Sequence, residues 1–250
     1  MPEPSALTGS AARPVFLSAE WRKLILANYA VDPAILRDHL PHRTELDFFH
    51  DTCYVSLVGF HFANVRLKGI PIPFHTDFEE VNLRFYVRYR NGSGWQRGVV
   101  FIREFVRKPA LTFVAHTLYG EHYQTVPMDH RWQVDGDPLL VRYRWKKQRW
   151  HSLEVTASAT PHDITVGSEE EFITEHNRGY TSAGRRTTRT AEYAVEHPTW
   201  QVYPIVSTAI DVDFAASYGE HFRFLNDAEP RSVFLAEGSP IVVRHGVRVE

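Results

Sequence analysis

Apolar and polar residues alternate with a period of two along much of this chain. In the stretch EEVNLRFYVRY, residues 79–89, Val81, Leu83, Phe85 and Val87 fall on one face of an extended strand, and Glu80, Asn82, Arg84 and Tyr86 fall on the other. The apolar face requires a core. The polar face fits either a wet outer surface, as antiparallel sheets often have, or the lining of a polar cavity, with Glu80 and Arg84 close enough to pair. Extended segments are predicted at 21–31, 53–66, 80–90, 98–107, 122–126, 139–147, 150–159, 187–196, 208–214, 232–237 and 241–245. Asn91-Gly92-Ser93-Gly94 reads as a tight turn, so the strands around it form an antiparallel hairpin.

Three short helices interrupt the strands. One spans 33–40, with Asp32 as its N-cap and Pro33 at its first position. A second spans 109–118, opened by Pro109 and ended at Tyr119-Gly120, and a third spans 168–176 with Glu169, Glu170 and Glu171 in its first turn. Residues 1–15 are small, polar and proline-containing and read as a flexible tail, leaving 16–250 as one mainly β (α+β) domain. The composition agrees, because 250 residues at 43% hydrophobic can bury a substantial core.

Charge and cysteine usage narrow the partners. A formal net charge of -2 offers no field to hold a polyanion, so neither nucleic acid nor an anionic membrane surface is expected as a partner. The single cysteine, Cys53, forms no intrachain disulfide, the opening residues lack the apolar run of a signal peptide, and the protein reads as cytoplasmic. Cys53 shares a strand face with Val55 and Leu57, which makes it a buried thiol rather than a nucleophile. The basic and aromatic run RYRWKKQRW alternates Tyr143 and Trp145 against Arg142, Arg144 and Lys146, the pattern of a half-buried hairpin. Fourteen histidines include no metal-binding spacing, the pair His75 and Asp77 lacks a third ligand, and no nucleotide or hydrolase motif occurs, so neither metal nor cofactor is expected.

Several motifs in order carry a resemblance. Arg22, Tyr29, Asp32, Leu36, Arg37 and Pro41 spell a run that resembles the N-terminal part of the acetoacetate decarboxylase superfamily. The pattern E-x-N-x-R-x-YV at Glu80 to Val87, YGEHY at 119–123 and FITEHNRGYTSAGRRTTRTAEYAVEHPTW at 172–200 resemble its YqjF-like branch of uncharacterised proteins. The resemblance implies an antiparallel β barrel or cone around a small-molecule cavity. It places Arg22 on the family's pocket arginine, and Glu79 or Glu80 near its pocket glutamate. Glu80 is preferred because it shares a face with Asn82 and Arg84.

One departure limits the chemistry. The decarboxylases form a Schiff base through a lysine whose pKa a neighbouring cation depresses. The matching segment here reads Tyr119-Gly120-Glu121-His122, and none of the five lysines (Lys23, Lys68, Lys108, Lys146 and Lys147) falls in it. The candidate ligand-binding residues are therefore Arg22, Asn82, Arg84, Tyr86, Tyr119 and Tyr123. Glu80, Glu121 and His122 are the candidate acids and bases, although Glu121 and His122 cannot both face one cavity if the segment is extended. Two functions follow: a cavity that holds a small organic acid or ketone, or an enzyme using Glu/His proton transfer on such a compound without a covalent amine. The resemblance also allows a homo-oligomer, through exposed strand edges.

Overall fold

The computed structural model describes residues 13–108, 123–182 and 189–249. Five long strands, Ser232–Arg244, Val15–Ala30, Tyr54–Leu67, Phe78–Asn91 and Gly94–Val106, lie side by side in that order, each antiparallel to its neighbour. Arg178–Ser182 joins the last of them in parallel through Gly179 and Val99 and pairs with Thr190–Glu196. Thr190–Glu196 in turn pairs back onto Ser232–Arg244 through Val195 and Val243. The sheet closes into a ring, as a barrel must to leave no open edge.

A second sheet, Ile205–Asp211, Arg149–Ala157, Leu139–Lys147 and Met128–Gln133, covers the outside of the long strands. Val81, Leu83, Phe85 and Val87 pack there against Val141, Tyr143, Trp145, Leu153 and Val155. A separate hydrophobic cluster lies inside the ring. Strands with a core on each side explain why the wet-surface option for the polar face fails: Glu80 and Asn82 are almost as buried as Val81 between them.

The expected Asn91 turn is present, closed by the Ser93 amide donating to Asn91 Oδ1 at 2.9 Å. The first helix is the 3-10 turn Pro33–His39, with Asp32 accepting from the Ala34 amide. Glu169–Thr174 is the acidic-start helix, capped by Ser168. The 109–118 helix and residues 1–12 of the proposed tail lie outside the described residues, and a strand already begins at Val15.

Other elements differ from expectation. The segments 232–237 and 241–245 are one strand, because Gly238 at φ +81° carries the chain through the interruption. A Cβ there would lie 2.0 Å from the Trp21 carbonyl oxygen. Asp213 caps a helix, Phe214–Tyr218, where a strand was expected to run on, and Met128–Gln133 forms a strand that its polar sequence did not signal. No helix among the described residues is long and apolar enough to cross a membrane.

Candidate functional site

The Phe78–Asn91 strand aims Phe78, Glu80, Asn82 and Arg84 into a cavity of about 140 Å³ inside the ring. Across the hairpin, Glu104 stands opposite Asn82, and Tyr123 stands beside Glu104 on the short strand Tyr123–Thr125. Asn82 Nδ2 donates to Glu80 Oε1 at 2.9 Å, and the Tyr123 hydroxyl lies 3.4 Å from Glu80 Oε2. The adjoining wall is aromatic, formed by Phe60 and Phe62 from the next strand, Trp21 from the one beyond it, and Trp200. Polar groups thus line one part of the cavity and rings the part beside it.

Burial dominates the electrostatics. It pushes the Glu80 carboxyl up to about 7, against the opposing pull of the Asn82 and Tyr123 hydrogen bonds and the nearby Arg84 charge. Glu80 therefore holds a proton for much of the time near neutrality. Arg84 does not pair with it directly. Its Nη2 donates instead to the Ile173 carbonyl at 3.0 Å, and its Nε is buried with no hydrogen-bond partner among the described residues. Asn82 Oδ1 and Trp21 Nε1 are likewise buried and unpartnered. Such atoms carry a desolvation cost that a bound molecule with matching groups would remove.

Two histidines complete the lining. His176 donates through Nδ1 to the Phe172 carbonyl at 2.6 Å and meets Asp47 through Nε2 at 3.1 Å. Burial lowers the pKa of His176 despite Asp47. Asp47 itself falls to about 2, because hydrogen bonds from His176 and Arg97 outweigh the effect of its burial. His197 is also lowered by burial and stacks on Trp200, with ring centroids 4.3 Å apart.

The sequence candidates separate into three groups. Glu80, Asn82, Arg84 and Tyr123 line the cavity. Tyr86 does not: its hydroxyl bonds Ser56 at 2.7 Å, and its ring packs against Phe172 and His176 beyond the end of the polar stripe. Arg22 does not either, and its Nε donates to Glu20 Oε2 at 2.9 Å on the other side of the sheet. The reason is a bulge. Lys23, at φ +53°, breaks the register between Arg22 and Ile25, so Trp21 and Leu24 face inward, while the Arg22 and Lys23 carbonyls accept from the Tyr143 hydroxyl at 3.3 and 2.8 Å. Tyr119, Glu121 and His122 lie outside the described residues.

Sequence reasoning missed Glu104, His176, His197 and the tryptophans. Glu104 had a signal in the hairpin register, but an unshifted register would have put Arg103 opposite Asn82. The shift between Leu83 and Arg84 turns Glu104 inward instead. The five lysines are all described, and none lines the cavity. Lys23, the nearest in sequence to a lining residue, bonds the Tyr203 hydroxyl at 3.1 Å and pairs with Glu237.

Comparison with known proteins agrees with this architecture. Residues 18–240 match a family model, DUF2071, described as an uncharacterised conserved protein. The uncharacterised protein YqjF of Bacillus subtilis (strain 168) is 28% identical over 164 residues, which span 65% of this chain and 66% of YqjF, so the match falls just short of two thirds of that protein's length. An acetoacetate decarboxylase from Legionella pneumophila superposes with a TM-score of 0.66 at 13% identity, covering 100% of this chain and 92% of that one. An acetoacetate decarboxylase-like enzyme from Sphingomonas wittichii RW1 gives 0.65 at 13%, covering 100% and 99%. The enduracididine biosynthesis enzyme MppR, solved in complex with pyruvate, gives 0.63 at 12%, covering 99% and 95%. At these identities the structural matches establish the acetoacetate decarboxylase-like fold.

Proposed function

Because the chain belongs to the DUF2071 family of uncharacterised conserved proteins and has the acetoacetate decarboxylase-like fold, we propose that it is a cytoplasmic protein whose cavity binds a small organic acid or ketone without a covalent amine link. The carrying observation is the buried polar stripe. Glu80 is a carboxyl that ionises near 7, so its protonated form is populated near neutrality and can donate to a ligand oxygen, and Arg84 offers a buried, unpartnered Nε–H. A guanidinium and a neutral acid together suit a carboxylate or a polarised carbonyl. The lining holds no lysine, so the ligand is retained by hydrogen bonds and packing. The pyruvate complex of the structurally similar MppR is consistent with this ligand class.

Calorimetric titration with pyruvate, acetoacetate and phenylpyruvate tests the reading. At least one should bind with a stoichiometry of one, and Arg84→Gln should abolish that binding. Borohydride treatment of the complex should leave the protein mass unchanged. Failure of every compound to bind, or a reduced adduct on any lysine, would overturn the proposal.

A second reading, proton transfer on the bound compound, draws on the same Glu80. A group ionising near 7 is matched to general acid–base work at physiological pH. Glu80 as carboxylate would take a proton from the carbon beside a ligand carbonyl and return one from solvent. Exchange of that carbon's protons for deuterium, followed by NMR and lost in Glu80→Gln, would establish it.

A further inference from the structure

The aromatic half of the cavity has no role in holding a small acid head. Its rings form a connected wall, with centroids 5.4 Å apart for Trp21 and Phe60, 5.1 Å for Phe60 and Phe62, 4.8 Å for Phe62 and Phe78, and 6.1 Å for Trp21 and Trp200. Register explains how the wall adjoins the stripe. Phe60 pairs with Glu80 and Phe62 with Phe78 across neighbouring strands, and Trp21 pairs with Phe62 from the next strand over. Glu80 therefore has the Phe60 ring as its neighbour on the same inner surface, Asn82 has Val58, and Arg84 has Phe101 on the other flanking strand.

Size and solvation bear on the occupant. An apolar cavity of roughly 150 Å³ accepts a benzene ring, and this one measures about 140 Å³. Pyruvate, seated on Arg84 and Asn82, would leave the rings facing poorly held water, and displacing such water with an apolar group gains affinity. His197, stacked on Trp200, extends the wall.

We infer that the ligand is an amphiphilic acid: a carboxyl or carbonyl head on Arg84, Asn82 and Glu80, and a ring-sized aromatic or branched aliphatic group against Trp21, Phe60 and Phe62. This rests on the acid-binding reading above and narrows it. The apolar group sets affinity, and the polar stripe sets orientation.

Three compounds with one head and increasing apolar bulk test it: pyruvate, 4-methyl-2-oxopentanoate and phenylpyruvate, titrated into the full chain. Affinity should rise at least tenfold from pyruvate to phenylpyruvate, about 1.4 kcal/mol. Trp21→Ala should shrink the ratio of the two affinities, and Phe60→Leu provides the same measurement if the tryptophan variant does not fold. Equal affinity for all three compounds, or a ratio unmoved in the wall variant that folds, would overturn the amphiphile and leave the acid-binding reading standing. No binding by any of the three would overturn both.

Discussion

Glu79 and Glu80 are adjacent, chemically identical and almost equally buried, at 2% and 3% exposure, yet the fold drives them in opposite directions. Glu80 points into the ring, where burial raises it to about 7 and the opposing hydrogen bonds do not compensate. Glu79 points to the outer side, where burial also pushes upward, but a 2.8 Å contact with His130 and the Arg107 charge at 3.8 Å bring it below the ordinary carboxylate value. Burial alone therefore does not define a functional carboxyl. What distinguishes Glu80 is burial with only the neutral groups of Asn82 and Tyr123 hydrogen-bonded to it, where Glu79 has His130 and Arg107 against it.

The comparison can be broken most severely from the packed side. Phe85 is fully buried in the outer core, and Phe85→Ala should cost about 3–5 kcal/mol by urea unfolding. A cost under about 1 kcal/mol would mean that the outer face is not the packed one.

Next in size is Glu80→Gln. The Glu80 carboxyl ionises near 4.5 when unperturbed and near 7 in the fold, so between those values the native state holds a proton that the unfolded chain has released. Its contribution is full below about pH 4.5 and is lost as pH rises through 7. Glutamine stays neutral, so the variant should match the wild type at about pH 4.5 and exceed it by on the order of 2–3 kcal/mol at about pH 8.5. Equal stability at both values would show that Glu80 ionises normally.

The same proton should govern ligand binding. A carboxylate ligand meets a neutral Glu80 below pH 7 and an anion above it, so affinity should fall by up to about tenfold per pH unit above 7, roughly 1.4 kcal/mol each. That slope should vanish in Glu80→Gln. A wild-type affinity independent of pH between about 6 and 9 would remove Glu80 from the site.

Glu79→Gln is the smaller counterpart. A lowered carboxyl contributes stability above its unfolded pKa and loses it as pH falls through the folded one. Because Arg107 and His130 are partly in solvent, the substitution should cost only about 1 kcal/mol near pH 7, and less as pH falls toward 3. Smallest of all is Arg22→Ala, expected within about 0.5 kcal/mol of wild type and without effect on carboxylate affinity, because its partner Glu20 is itself half-exposed. Loss of binding in that variant would restore Arg22 to the site.

Local chemistry was legible where the chain's own periodicity and caps decide the outcome. The alternation from Glu80 to Val87 gives two faces whatever they meet, Asn91 to Gly94 can hardly do other than turn, and Asp32-Pro33 starts a helical turn by side-chain capping and a preset φ. The membership of Glu80, Asn82 and Arg84 in one inward stripe followed from the same period. Which face meets a second sheet and which encloses a cavity did not, because both cores are assembled from strands far apart in the chain.

Bulges decided the rest. Since side chains alternate, one extra residue reverses every facing beyond it: the break at Lys23 turns Trp21 and Leu24 inward and strands Arg22 outside, and the shift beside Arg84 exchanges Arg103 for Glu104. Neither has a reliable mark in the residues themselves. The first is stabilised by Tyr143 from the second sheet and by the glycine at 238, more than two hundred positions away. Sequence determined the period of the strands; only the closed sheet determined its phase, because a bulge is held by the partners it packs against.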